Sequence, residues 1–188
     1  MRLARLALLA SPLLLAACDT AGTDRAPRRA IVTAVQVDDA PLREVATGNE
    51  WDGAGGGGPE VYFRLFFADE DYQTNPDRDV LNPRDDLFVV NRSTPGTPYY
   101  ENVFGSLFPL VWSVDGGFEV RGLQDEYRVV LYDYDPTTDD DPMISTRTFT
   151  FSEQAPEFVD GAEDTIVLDG VGADEDRVRV RLRVVYED

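Results

Sequence analysis

The chain has 188 residues, with 36 Asp and Glu against 17 basic residues, all of them Arg, one Cys and no His; the formal net charge is −19. Without His, and with a single Cys, Ser-His-Asp and Cys-His nucleophile systems and His/Cys zinc sites are excluded, and without Lys so are Schiff-base chemistry and the phosphate-loop lysine. Strong acidity makes nucleic acid a poor partner, which leaves hard-cation binding, carboxylate-pair hydrolysis, or a non-catalytic binding or structural role.

The amino end is a targeting segment. Residues 1–17 (MRLARLALLASPLLLAA) place Arg2 and Arg5 before a short apolar run, too short to span a bilayer. The run ends in Leu15-Ala16-Ala17-Cys18, which resembles the lipobox of bacterial lipoproteins. That resemblance implies cleavage before Cys18, which becomes the acylated amino terminus. The protein is then anchored to a bacterial membrane on its extracytoplasmic side, in the cell envelope, without a transmembrane helix. Residues 18–29 follow as the acylated Cys and a polar, Pro-containing tether.

From residue 30 to 188 the sequence reads as one domain of short β-branched and aromatic runs. The expected strands are 30–37, 61–67, 87–91, about 107–113, 117–121, 127–134, 144–151, 164–169 and 177–186. In the second, Val61, Phe63, Leu65 and Phe67 share a face. Gly, Pro, Asn and Asp clusters punctuate the runs, and Gly53–Gly58 reads as a mobile loop. The expected fold is all-β, an eight-stranded antiparallel two-sheet sandwich of Greek-key type. In the last strand Arg177, Arg179, Arg181 and Arg183 alternate with Val178, Val180, Leu182 and Val184. The Arg face is either a stripe for anions such as lipid head groups or a solvated face paired with acidic neighbours; the excess of carboxylates favours the second. Asp69-Glu70-Asp71 and Asp77-Arg78-Asp79 read as loop residues, and Trp51, Phe104, Tyr132 and Tyr134 as packing residues rather than a carbohydrate platform.

The informative segment is 127–144, YRVVLYDYDPTTDDDPMI, where a strand runs into Asp133-Tyr-Asp135, then five residues, then Asp141. Carboxylates gathered by such a turn repel one another and are stabilised by a hard cation, for which Ca2+ suits best. An EF-hand does not fit, because the sixth position from Asp133 is Thr138 rather than Gly and the twelfth is Ile144 rather than Glu.

The strand, the Asp-x-Asp pair, the five-residue gap and the next Asp resemble the third calcium loop of the C2 domain, a calcium-dependent lipid-binding β-sandwich. The resemblance implies a C2-like sandwich over about 30–188, with the last strand placed as in the permuted topology. It implies calcium ligands at Asp133, Asp135 and Asp141, a hydroxyl at Thr138, and backbone carbonyls at Tyr134 and Asp139. For the first loop it implies Asp52 and Glu60, although they stand eight residues apart rather than six and Glu replaces Asp. The expected function is a membrane-anchored, non-catalytic module whose calcium tip meets a lipid head group, another anionic ligand or a protein. The alternative is a structural envelope lipoprotein that binds no calcium and serves as spacer or assembly subunit. A glycosidase would need two carboxylates flanking a cleft, one of them held protonated by burial, and nothing in the sequence marks one.

Overall fold

The computed structural model describes residues 26–51, 57–74, 78–83, 88–90, 98–136, 139–155 and 159–188. Eight strands follow in chain order: β1 (Arg29–Asp39), β2 (Val61–Phe67), β3 (Phe88–Val90), β4 (Leu110–Val120), β5 (Tyr127–Asp133), β6 (Asp141–Ser145), β7 (Glu163–Asp169) and β8 (Arg179–Glu187). Two single 3-10 turns, at Gly105–Leu107 and Gly172–Asp174, are the only helical pieces among the described residues. One sheet has the order β3-β4-β1-β8-β7 and the other β2-β5-β6, and every pairing is antiparallel. The carboxyl-terminal strand thus lies beside β1, in the middle of the larger sheet.

Alternation explains why these segments pair as they do. In β2, Val61, Phe63 and Leu65 are buried on the face that meets the other sheet, where Phe63 packs edge-on against Trp112 of β4 with ring centroids 5.2 Å apart. Trp112 is fully buried, meets Tyr100 edge-on at 4.9 Å, and donates its indole N–H to the Pro98 carbonyl at 2.9 Å. Val178, just before β8, and Val180, Leu182 and Val184 within it line the same core, with Arg179, Arg181 and Arg183 on the opposite face. Arg179 pairs with Asp169, its direct neighbour on β7, at 2.7 Å, and Arg181 pairs with Asp38. The Arg stripe is therefore largely a solvated face neutralised across the sheet.

Two strand expectations need correction. The runs at 107–113 and 117–121 form one continuous strand, β4, because the glycines expected to break it make a bulge instead. Gly116 and Gly117 sit at φ 77° and 75°, opposite the register shift between Val32 and Ala34 of β1. A Cβ on Gly117 would also stand 2.3 Å from Ile31 Cγ2. The strand expected at 144–151 is displaced to Asp141–Ser145. At Thr146 the regular ladder is interrupted: its hydroxyl accepts from the Val129 N–H at 3.1 Å, the next amide, Arg147, donates to Asp169 O in the other sheet at 2.9 Å, and the chain meets β5 again only at the isolated bridge between Phe149 and Tyr127. Of the Gly53–Gly58 stretch, residues 53–56 lie outside the described residues. Gly58 is packed rather than loose, since a Cβ there would stand 2.0 Å from the Val103 carbonyl oxygen.

Candidate functional site at the acidic tip

Antiparallel pairing of β2 with β5 sets Val61 opposite Asp133, so the entry to β2 and the exit from β5 lie side by side. Glu60 and Asp133, assigned to the first and third loops from sequence, do meet. The Glu60 N–H donates to Asp133 Oδ1 at 2.7 Å, and the Tyr134 N–H donates to Glu60 O at 2.9 Å. Asp133 is 2% exposed. It faces the sandwich interior and fastens the two loops, which is a different task from facing a cation in solvent. Asp135 follows the end of β5 and is not on its face, so the two-residue strand spacing does not orient it with Asp133.

Asp135, Asp139 and Asp141 gather around the turn between β5 and β6. Burial, then the charges of Asp135, Glu44, Asp140 and Asp139, raise the Asp141 carboxyl above the ordinary Asp range. Among the described residues no three carboxylates converge as a metal would require. Thr138, Asp52 and Cys18 lie outside the described residues. The donor set fits a hard cation in chemistry, since it is all carboxylate and carbonyl oxygen, but Asp133 fits poorly because an amide already holds one of its oxygens.

The residue that sequence reasoning missed is Asp140. It turns inward under the tip and accepts from the Tyr62 hydroxyl at 2.6 Å and from Arg64 Nη2 at 3.3 Å, while its other oxygen accepts from the Asp135 N–H at 3.2 Å. Arg64 is a buried arginine at 6% exposure in the middle of β2, on the face away from the intersheet core. Its guanidinium lies 5.3 Å from the Tyr62 ring centroid and 4.9 Å from that of Tyr132, and those two rings stack 5.4 Å apart. Asp79 stands 3.9 Å from Arg64 Nε. Burial, together with the Asp140 hydrogen bond, pushes the Tyr62 hydroxyl well above the usual phenol range. The signal in the sequence was Arg64 itself, a charge inside VYFRLFF that needs a buried counter-ion.

The expected packing residues behave accordingly. Tyr132 is buried, Tyr134 stacks on Tyr99 at 4.3 Å, and Trp51 donates to Pro41 O at 3.2 Å; Phe104 alone is exposed, at 54%. Asp71 caps its own turn, accepting from the Thr74 hydroxyl and the Gln73 amide, which holds its carboxyl below the usual range.

No protein-family model matches the chain, and no curated protein matches it. Among solved structures it is similar to a C2 domain at 11% identity, covering 85% of this chain and 98% of that one with a TM-score of 0.42. It is also similar to a C2 domain of the plant protein extended synaptotagmin 1, at 13% identity, 84% and 95% coverage and a TM-score of 0.39. A C2 domain protein from Ramazzottius varieornatus matches at 16% identity, 85% and 91% coverage and a TM-score of 0.36. Human GIVD cytosolic phospholipase A2 matches over 85% of this chain but only 17% of its own length, at 13% identity and a TM-score of 0.43.

Proposed function

We propose that the chain is a non-catalytic, C2-like binding module, held at a bacterial membrane through acylated Cys18, whose acidic tip takes calcium and thereby meets a lipid head group, another anionic ligand or a protein. The observation that carries this reading is the gathering of Asp135, Asp139 and Asp141 around the turn between β5 and β6, with Asp140 and Glu44 near enough that their charges add to burial in raising the Asp141 carboxyl. Like charges held together cost free energy that a divalent cation removes. Asp135, Asp139 and Asp141 are the residues that would hold it from the third loop, with Thr138 and Asp52 as the further ligands expected from sequence. Calcium would supply positive charge to a tip that otherwise repels anions.

The test is a thermal melt of the full chain at fixed ionic strength in calcium and in chelator. A ligand at a hundred times its dissociation constant adds about 2.7 kcal/mol, a rise of very roughly 5–10 °C for a chain of this size. The rise should vanish in an Asp135→Asn/Asp141→Asn variant. An unchanged midpoint at millimolar calcium removes calcium from the proposal.

A specific observation favours the structural alternative. The Arg64 guanidinium already supplies a buried positive charge beneath the turn, bound to Asp140, so the tip has an internal cation holding part of its charge in place. In that reading the sandwich is a spacer or assembly subunit and its melt ignores calcium.

A further inference from the structure

In a chain with twice as many acids as bases, an arginine without a carboxylate partner is unusual. Among the described arginines only Arg128, Arg147 and Arg183 have no described carboxylate within ion-pairing distance. Two of these three, Arg128 and Arg147, line the same groove of about 500 Å³, which runs along β6 and is also lined by Val45, Val171 and Asp174.

The nearby carboxylates are committed elsewhere. Asp174, on the groove wall, pairs with Arg177 at 3.6 Å. Asp71, whose carboxyl feels the Arg128 charge only as its weakest influence, is taken up by Thr74 and Gln73. Arg128 is held rigidly, with its guanidinium 4.9 Å from the Tyr72 ring centroid and Nη2 donating to the Ala68 and Glu70 carbonyls. Its Nε is buried with no hydrogen-bond partner. Arg147 is exposed and donates one bond, from Nη2 to Val167 O at 3.3 Å. Thr148 adds a neutral hydroxyl to the wall. One guanidinium fixed by Tyr72 and two carbonyls, a second with N–H donors open to solvent, and apolar walls make a receptor for an oxyanion, because charge-assisted bonds from arginine to phosphate or carboxylate are the strong ones.

We propose that the groove between β6 and the 171–174 turn is an oxyanion site that takes a phosphate- or dicarboxylate-bearing ligand between Arg128 and Arg147. Its chemistry is the opposite of the acidic tip's, so it does not depend on calcium.

The experiment titrates the full chain, in chelator so that the acidic tip plays no part, with inorganic phosphate and with succinate. Calorimetry and, for phosphate, 31P NMR are the readouts. Millimolar binding is expected, weakened about tenfold or more by Arg147→Gln. Arg183→Gln, which removes the unpaired arginine on the β8 face away from this groove, should leave binding unchanged. Arg128→Lys keeps the charge but loses the planar fork and its hold on the Ala68 and Glu70 carbonyls, and should weaken binding less than Arg147→Gln. A thermal melt of each variant checks that it is folded. Vesicles of phosphatidic acid, compared with phosphatidylcholine, identify the source of the phosphate: capture of phosphatidic acid assigns a membrane-borne ligand, indifference a soluble one, and both uphold the site. No heat and no 31P shift at tens of millimolar ligand, or equal losses in the Arg147 and Arg183 variants, overturns it.

Discussion

Replacing Arg64 by Met separates the two roles the acidic tip could have. The side chains of Arg64 and Asp140 are each 8% exposed and that of Asp79 is 11% exposed, so none is well screened by water. Met keeps much of the stem volume but takes away the buried guanidinium that both Asp140 and Asp79 face, and it removes the stacking on Tyr62 and Tyr132. Breaking a buried pair from one side costs about 3–5 kcal/mol. At about 2–4 °C per kcal/mol for a chain of this size, the midpoint should fall by roughly 6–20 °C. Asp140→Asn in the Arg64→Met background should recover part of the loss, because the stranded charge is then gone; a coupling of at least about 1 kcal/mol is expected for residues in direct contact. Urea unfolding of the four proteins of this cycle, followed by tryptophan fluorescence, gives the numbers. A loss below about 1 kcal/mol, or strictly additive variants, would refute the reasoning that Arg64 neutralises the tip from below. Calcium provides an internal check, since the Arg64→Met variant should gain more from calcium than the parent if both cations serve the same carboxylates.

Alkaline stability should be governed by tyrosine, since there is no Lys to titrate. Burial pushes the Tyr127 hydroxyl up to about 12 and raises Tyr62, Tyr132 and Tyr186 further. A folded-state value above the unfolded one of about 10 favours the folded form fully below pH 10, and that contribution is lost as pH rises towards 12. Urea midpoints between pH 8 and 12, with tyrosinate absorbance in parallel, should fall together over that window, and an unchanged midpoint at pH 11.5 would contradict the burial assigned to these rings. Gly117→Ala should cost about 1–3 kcal/mol, combining a positive φ with a Cβ 2.3 Å from Ile31 Cγ2, whereas Gly105→Ala, with nothing within 4 Å, should cost little. Arg179→Gln should leave the urea midpoint unchanged, as the pair with Asp169 is solvent-exposed and screened. A clear fall in that midpoint would mean the Arg face is structural.

Much of the sandwich was legible because burial leaves a two-residue rhythm. The Arg/Val alternation of β8 survives in the structure as read; in β2 Val61, Phe63 and Leu65 keep their shared core face, but Phe67 is exposed and Tyr62, Arg64 and Phe66 are buried on the other face. Strand ends were less legible. The Gly116-Gly117 pair is a turn signal locally, yet tertiary pairing with β1 and β3 carries β4 through it as a bulge. At the tip, the family resemblance grouped Glu60 with Asp133, and the Glu60 N–H does meet the Asp133 carboxylate, but the resemblance could not show which way each carboxylate faces. In the run Asp139-Asp140-Asp141 the middle residue turns inward to Arg64, and this depends on a partner 76 residues away. The oxyanion groove left no motif, because Arg128 and Arg147 are notable only for the carboxylates they lack.

The ends of the two sheets bear on how copies of this protein coexist. β6 closes the smaller sheet and opens with Asp141-Pro142, where proline offers no amide for a ladder. β7 closes one side of the larger sheet and carries Glu163, Asp164 and Asp169, and β3 on the other side has three residues. β2, the other border of the smaller sheet, is already met by backbone bonds between Val61 and Tyr100 and between Leu65 and Leu81, so each border is acidic, short, proline-bearing or partly covered, and neither sheet is easily continued into a neighbour. Wherever the molecules are concentrated, they should stay separate particles rather than zip into a fibril.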